Sequence, residues 1–175
     1  LITLYTSSTL YHSFFGLKTT KAVFSVFDHC AIYMLIAGTY TPMLSITFPD
    51  KPLYNFWMLG FLWVCTTIGV TIEAFWNKAA WKGKVSLTLY LMMGWLAVCA
   101  LPDLKERLST RALVWLFCGG VGYTAGVPFF VRNNNLDHAL WHIFVMCGSI
   151  AHWWCVYEHV LPHAADIAAN FQAVV

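Results

Sequence analysis

The sequence has few charged residues. Only 10% of its 175 residues are Asp, Glu, Lys or Arg, and 59% are hydrophobic. Soluble domains average about 25% charged and about 45–50% apolar residues. The charges lie in short clusters between long apolar runs, as loops lie between membrane spans. This distribution disfavours a water-soluble fold and predicts an all-α, polytopic transmembrane helical bundle, so that the lipid bilayer is the expected partner.

Positive charge is also scarce. The formal net charge is only +2, and the Lys and Arg residues are too scattered to form a nucleic-acid surface or a polybasic tail. We therefore expect no nucleic-acid partner.

The six cysteines form no CxxC pair, so neither a thiolate metal site nor a redox motif is predicted. All six lie in apolar runs, where we expect them to be small buried hydrophobes. The chain also begins without an initiator Met, a basic leader or a cleavage site, from which we expect an N-terminal part to be missing.

Six apolar runs approach the length that a membrane-spanning helix needs, which is about 20 residues. They are continuous rather than alternating, which disfavours barrel strands. They are residues 1–16, 22–46, 53–75, 85–101, 112–131 and 138–161. We expect residues 1–161 to form one membrane domain and residues 162–175 a short tail. Glycines 119, 120, 122 and 126 predict close helix contact in the fifth run.

The orientation follows from counting Lys and Arg on alternate sides of these spans. Six lie on the side of the KTTK loop and four on the opposite side. Because short cytoplasmic loops are enriched in Lys and Arg, the first side is predicted to be cytoplasmic and the C-terminus to lie outside.

Four ionisable side chains share one depth in the predicted bundle. His12 precedes the KTTK loop, Asp28 follows it, and His138 and His142 open the last run. Ionisable residues within spans are costly and mark functional sites by default. Their shared depth predicts one site near the predicted cytoplasmic face.

The spacing of these residues favours a metal. His138 and His142 are four residues apart, as are Ser8 and His12, so each pair lies on one helical face. Three histidines with an open position are typical of catalytic zinc. The alternatives are a hydrogen-bonded core role for each histidine and, for Ser8, a bond to its own helix backbone.

Three neighbouring polar residues are assigned other roles. His29 is rotated about 100° from Asp28 and is expected to pack or to support the site. His152 is about 21 Å along the helix from His138, too far for a common ion. Glu73 is expected to be an interfacial carboxylate at the end of the third span.

The chain resembles the bacterial hemolysin III proteins, which are relatives of the progestin and adipoQ receptors. The resemblance rests on SSTLYH at residues 7–12, FDHCAIYMLIAGTYTP at 27–42 and DHALWHIFVMCGSIAHWW at 137–154. It implies an intramembrane zinc site formed by Ser8 with His12, by Asp28, and by His138 with His142. It also implies a bacterial inner-membrane protein of seven spans, of which the first is absent from this chain.

The resemblance implies conflicting activities. One is zinc-dependent hydrolysis of a lipid-like amide, with His12, His138 and His142 as ligands, Asp28 as general base, and Ser8 as oxyanion donor. The others are a haemolytic pore, or a receptor or regulator of membrane energetics, in which the zinc is structural or sensory. The sequence alone leaves these alternatives open.

Overall fold

Helices account for all the regular secondary structure described by the computed structural model, which covers residues 1–14, 16–132 and 134–162, and of residue 135 the backbone alone. The all-α prediction is therefore confirmed for this part of the chain. The seven helices described are α1 (Ile2–Ser13), α2 (Lys18–Thr47), α3 (Pro52–Phe75), α4 (Lys82–Gly94), α5 (Leu101–Arg107), α6 (Thr110–Arg132) and α7 (Asn135–Cys155). A short 3₁₀ segment, Trp95–Val98, follows α4, and a π-helical segment, Val156–Val160, continues α7.

Four of these helices are long and apolar enough to cross a membrane: α2, α3, α6, and α7 with its π-helical continuation. The segment Lys82–Val98 and α5 form a pair bent by 46°, which adds a fifth span if the pair crosses as one. The described α1 has 12 residues, fewer than the roughly 20 that a span needs. The multi-span character is confirmed, and the number six stays a prediction.

The fourth predicted run, residues 85–101, is not one continuous helix. Helix α4 ends at Gly94, and α5 begins at Leu101 with a proline in its first turn. Proline is tolerated in the first turn of a helix but breaks a helix interior, because it lacks the N–H donor and its ring clashes with the preceding turn. Pro102 is therefore compatible with a new helix rather than with a continuation of α4.

The chain divides into two compact units. The first consists of Leu1–Thr41 and Lys51–Gly94, and the second of Pro42–Asp50 and the residues from Trp95 onward. Helix α2 contributes to both. The first unit carries α1, most of α2, α3 and α4, and the second carries α5, α6 and α7.

Within the first unit, Tyr33 of α2 is completely buried. Its ring occupies the space where a Cβ on Gly69 of α3 would lie, and it packs against the ring of Tyr90 on α4, with 4.5 Å between the ring centroids. Glu73, expected to be interfacial, is only 1% exposed and lies against Lys82. The interfacial depth of Glu73 stays a prediction, whereas its burial against Lys82, which lies across a loop, is a contact that the sequence pattern did not predict.

Within the second unit, α6 and α7 approach closely through glycines, as the sequence predicts. A Cβ on Gly122 would lie 3.3 Å from the Cα of Gly148, and one on Gly126 would lie 2.8 Å from the Cβ of Phe144. Gly119 leaves room for the ring of His152. Gly120 differs, because the nearest atom to its Cβ would be 3.9 Å away.

Two further expectations have different outcomes. Among the cysteines, Cys65 and Cys155 are buried and Cys30 is half-buried, whereas Cys99, Cys118 and Cys147 are exposed. The prediction that all six are buried is wrong, because apolar residues of a membrane helix are also accommodated on its outer surface. The proposed tail, residues 162–175, lies outside the described residues except for Pro162.

The close contact between α6 and α7 gives a first prediction. Gly126→Ala places a methyl group against Phe144 and Trp141, and overpacking of this kind costs about 1–3 kcal/mol. The matched control, Gly120→Ala, adds the same methyl group where there is space. We expect a lower thermal unfolding midpoint in detergent for Gly126→Ala alone; equal midpoints would contradict the close packing.

Candidate metal centre

The start of α7 is fixed by a group of polar contacts just before the histidine pair. The side chain of Asn134 accepts a hydrogen bond from the backbone N–H of Asp137 at 2.8 Å, which caps the helix. Asn134 Nδ2 in turn donates to Asp137 Oδ2 at 2.6 Å. Because Asn134 satisfies one of the unpaired N–H groups of the first turn, α7 begins at Asn135, three residues before the predicted start of the run.

Arg132 completes this capping group. Its guanidinium lies 2.9 Å from Asp137 Oδ1, so each carboxylate oxygen of Asp137 has its own donor. Asp137 is only 6% exposed, and a buried carboxylate is stable when it is paired and hydrogen-bonded. The capping group thus holds the first turn of α7, where His138 lies.

His138 and His142 lie on one face of α7, as their spacing predicts. Their Nε2 atoms are 3.0 Å apart, and their rings meet nearly at right angles, at 85°, with 4.6 Å between the ring centroids. Both side chains are half-buried. Two imidazole nitrogens so close together can share a proton or bind one metal ion.

His12 lies in the last turn of α1, in the first unit. Residues on either side of it contact the start of α2. Lys21 Nζ lies 5.3 Å from the centre of the Tyr11 ring, and the ring of Phe14 stacks on that of Phe24 with 5.4 Å between the ring centroids. The His12 side chain is exposed. These contacts hold the end of α1 beside the start of α2.

Ser8 and Asp28 are both buried in the same unit. Ser8 is 8% exposed and lies one turn before His12 on α1, and Asp28 is 7% exposed and lies in the third turn of α2. A carboxylate buried to this extent within a candidate span is a functional-site candidate by default.

Among the described residues, one group of three metal-ligating side chains has a geometry that could hold an ion: His12, His138 and His142. The ligand atoms of the three all lie within 4.8 Å of one another. These are the three histidines that depth and spacing single out in the sequence.

The neighbouring histidines have hydrogen bonds that suit structural roles. His29 Nδ1 lies 2.7 Å from the Ser25 carbonyl oxygen of its own helix, in agreement with a packing role. His152 Nε2 lies 3.1 Å from the Leu116 carbonyl oxygen of α6, so His152 links α6 to α7. Three residues beside the site, Arg132, Asn134 and Asp137, were not predicted to belong to it, although an Asn followed three residues later by Asp before an apolar run is a helix-start signal.

The fold and the candidate site together define a polytopic α-helical membrane protein that gathers histidines at the ends of its helices. The family described as Haemolysin-III related matches residues 1–153. No solved structure gives a significant match.

Individual relatives agree with this match. Hemolysin-3 of Bacillus cereus is 39% identical over 163 residues, covering 93% of this chain and 72% of that protein. The Hemolysin-3 homolog of Bacillus subtilis (strain 168) is 40% identical over 157 residues, covering 89% and 71%. The human Monocyte to macrophage differentiation factor is 30% identical over 152 residues, covering 86% and 61%. The chain belongs to the haemolysin-III-related family.

The capping group gives a second prediction. Asp137→Ala removes the acceptor of Arg132 and Asn134 and should cost about 1.5–3 kcal/mol, the range for hydrogen bonds to charged groups. Because the first turn of α7 is then less ordered, metal binding by the histidines should also weaken. Calorimetric titration with zinc, together with thermal melting, measures both effects.

The matched control is Glu158→Ala, which removes an exposed carboxylate near the other end of the same helical segment. We expect it to leave both quantities unchanged. Zinc affinity that falls equally in the two variants would show that the capping group does not act on the histidines.

Proposed function

We propose that this protein is a zinc-dependent hydrolase that cleaves a lipid-like amide close to the cytoplasmic face of a bacterial inner membrane. The observation that supports it best is the grouping of His12, His138 and His142, whose ligand atoms lie within 4.8 Å of one another. Three imidazoles with an open fourth position are the donor set of catalytic rather than structural zinc sites.

The donor set fits zinc in chemistry, and the histidine pair on α7 also fits it in scale. Neutral imidazole is a preferred zinc ligand. Two nitrogens bound to tetrahedral zinc at 2.0–2.1 Å are roughly 3.3 Å apart, and the Nε2 atoms of His138 and His142 are 3.0 Å apart. A rotation of the rings that moves these atoms by a few tenths of an ångström is sufficient for that pair.

Zinc in such a site lowers the pKa of water to about 7 and so provides a nucleophile at neutral pH. The residues of the chain supply the remaining steps. Asp28 takes the proton from the attacking water as general base and returns it to the leaving amine as the C–N bond breaks. The Ser8 hydroxyl donates a hydrogen bond to the carbonyl oxygen as negative charge develops on it.

A substrate from the bilayer is consistent with the surface of α7. Leu136 and Ile143, on the helix that carries the histidine pair, are 71% and 50% exposed, and Met146 is 43% exposed. Exposed apolar side chains of a membrane helix contact lipid chains. An amide with acyl chains can therefore approach this helix laterally from the bilayer.

A second candidate function is haemolysis by pore formation, in which the metal ties helices together. The observation that favours it is the name Hemolysin-3 of the relative from Bacillus cereus. The two functions differ in what the histidines do, and liposome leakage distinguishes them. Leakage that persists when His12, His138 and His142 are all replaced by Ala would assign permeation to other parts of the chain.

The third prediction concerns metal content. The purified intact protein is expected to contain about one zinc ion per chain by mass spectrometry, and the variant carrying His138→Ala and His142→Ala is expected to contain none. His159→Gln, which changes a histidine farther along the same helical segment, is the matched control and should retain the ion. Intact protein that binds no zinc even when the metal is supplied would overturn the site.

The fourth prediction concerns the general base. Asp28→Asn should still bind zinc at saturating concentration but should hydrolyse a ceramide-like amide about 10²–10⁴-fold more slowly, the usual contribution of general acid–base catalysis. Release of the fatty acid from a fluorescent amide in detergent micelles measures the rate. Unchanged turnover would refute the role of Asp28.

A further inference from the structure

A polar network joins α3 to α4 in the first unit. Glu73 of α3 accepts a hydrogen bond from Ser86 Oγ at 2.8 Å on one carboxylate oxygen. Lys82 Nζ lies 2.5 Å from the other oxygen. Because a buried carboxylate that loses its partner destabilises a protein strongly, this pair fixes the start of α4 against the end of α3.

The fixed helix α4 carries Tyr90, which reaches α2. The Tyr90 hydroxyl donates a hydrogen bond to the carbonyl oxygen of His29 at 3.1 Å, and Tyr90 is only 8% exposed. Its ring packs on that of Tyr33, one turn further along α2. Tyr33 cannot move toward α3 without meeting Gly69, over which its ring already lies.

These contacts fall on the side of α2 away from Asp28. At 100° per residue, His29 and Tyr33 are rotated by about 100° and about 140° from Asp28. Tyr90 therefore touches the backbone next to Asp28 and the helix face that turns away from its carboxylate. The contacts limit both rotation and sliding of α2 at the level of Asp28.

We propose that Tyr90 is a positioning residue for Asp28, held in place by the Glu73, Lys82 and Ser86 group. This inference deepens the proposed function and rests on it, because it concerns the carboxylate to which the proposed function assigns proton transfer. A misplacement of about 1 Å at a catalytic group can reduce a rate by about 10²-fold. A hydrogen bond to the carbonyl oxygen of His29, the next residue along α2, restrains the backbone against such a shift.

The test is a double-mutant cycle on metal affinity, which needs no substrate. Loss of a carboxylate that hydrogen-bonds within a metal site typically weakens metal binding by about 10–100-fold, so we expect Asp28→Asn to raise the dissociation constant of cobalt(II) by that factor. Tyr90→Phe, which removes only a hydroxyl, should raise it by a smaller factor. In the Asp28→Asn background, Tyr90→Phe should have no further effect, because its action passes through Asp28.

The matched control is Tyr123→Phe, since Tyr123 also makes a partly buried helix-to-helix hydrogen bond, to Ser149 at 2.8 Å. It should lower the thermal unfolding midpoint as Tyr90→Phe does but leave cobalt affinity unchanged. If Tyr90→Phe does not fold, Ser86→Ala replaces it and should give the same dependence on Asp28, because it removes the donor to Glu73 and so loosens α4.

The outcomes separate the inference from the proposed function. Intact protein that binds no cobalt overturns the proposed function and the inference with it. An Asp28→Asn variant with unchanged affinity overturns the inference alone, because the proposed function assigns Asp28 to proton transfer and not to ligation. Cobalt binding that responds to Asp28→Asn but not to Tyr90→Phe overturns the inference alone. Equal effects of Tyr90→Phe in both backgrounds also overturn it, since a purely structural role gives additive effects.

Discussion

Charged side chains inside the bundle must find their partners within the protein, because the bilayer offers them no water. Asp137 and Glu73 meet this requirement in the same way. Each is less than a tenth exposed, and each receives one cation and one neutral donor, on separate carboxylate oxygens. Arg132 and Asn134 are the donors for Asp137, and Lys82 and Ser86 are the donors for Glu73.

Both carboxylates join helices that are consecutive in the chain. Asp137 ties the start of α7 to the end of α6, and Glu73 ties the end of α3 to the start of α4. Removing Glu73 leaves the Lys82 side chain, which is only 14% exposed, without its partner, and breaking a buried pair in this way is strongly destabilising. The Arg132 side chain is 59% exposed, so removing Asp137 costs less. The connections between these helices are therefore determined by buried charge as much as by the loops themselves.

Much of the candidate site could be predicted from the sequence, because helical periodicity and membrane depth are properties of the chain alone. The four-residue spacing of His138 and His142 determines that they share a face. The burial of Glu73 could not be predicted in this way, because its partner is fixed by the packing of α4 on α3. The looser packing of Gly120 could not be predicted either. Which of the α6 glycines face α7 depends on how α6 is rotated about its axis, and the sequence does not determine that rotation.

Other features were present in the sequence as local signals. Gly94 and Pro102 flank the break between α4 and α5. Hydropathy alone does not reveal this break, because the residues between Gly94 and Pro102 are apolar. Asn134 and Asp137 have the spacing of a helix cap. The capping and helix-breaking preferences of these residues predict the ends of α4, α5 and α7 more accurately than the limits of the apolar runs do.

The two polar networks order residues of the candidate site in the same way. The capping group at the start of α7 acts on the turn that carries His138, and Tyr90 donates to the carbonyl oxygen of His29, the residue after Asp28. These contacts are made through backbone atoms rather than through the side chains of His138 and Asp28. A side chain committed to a structural bond is less able to bind a metal or transfer a proton, whereas a bond to the adjacent backbone orders it without that cost.

The histidine pair on α7 brings ring nitrogens together for such chemistry, since the Nε2 atoms of His138 and His142 are 3.0 Å apart. Two neutral imidazoles so close together need a shared proton or a metal ion between them, since two nitrogen lone pairs facing each other repel. Because ligation requires deprotonated imidazole, proton and metal compete for the same pair of lone pairs.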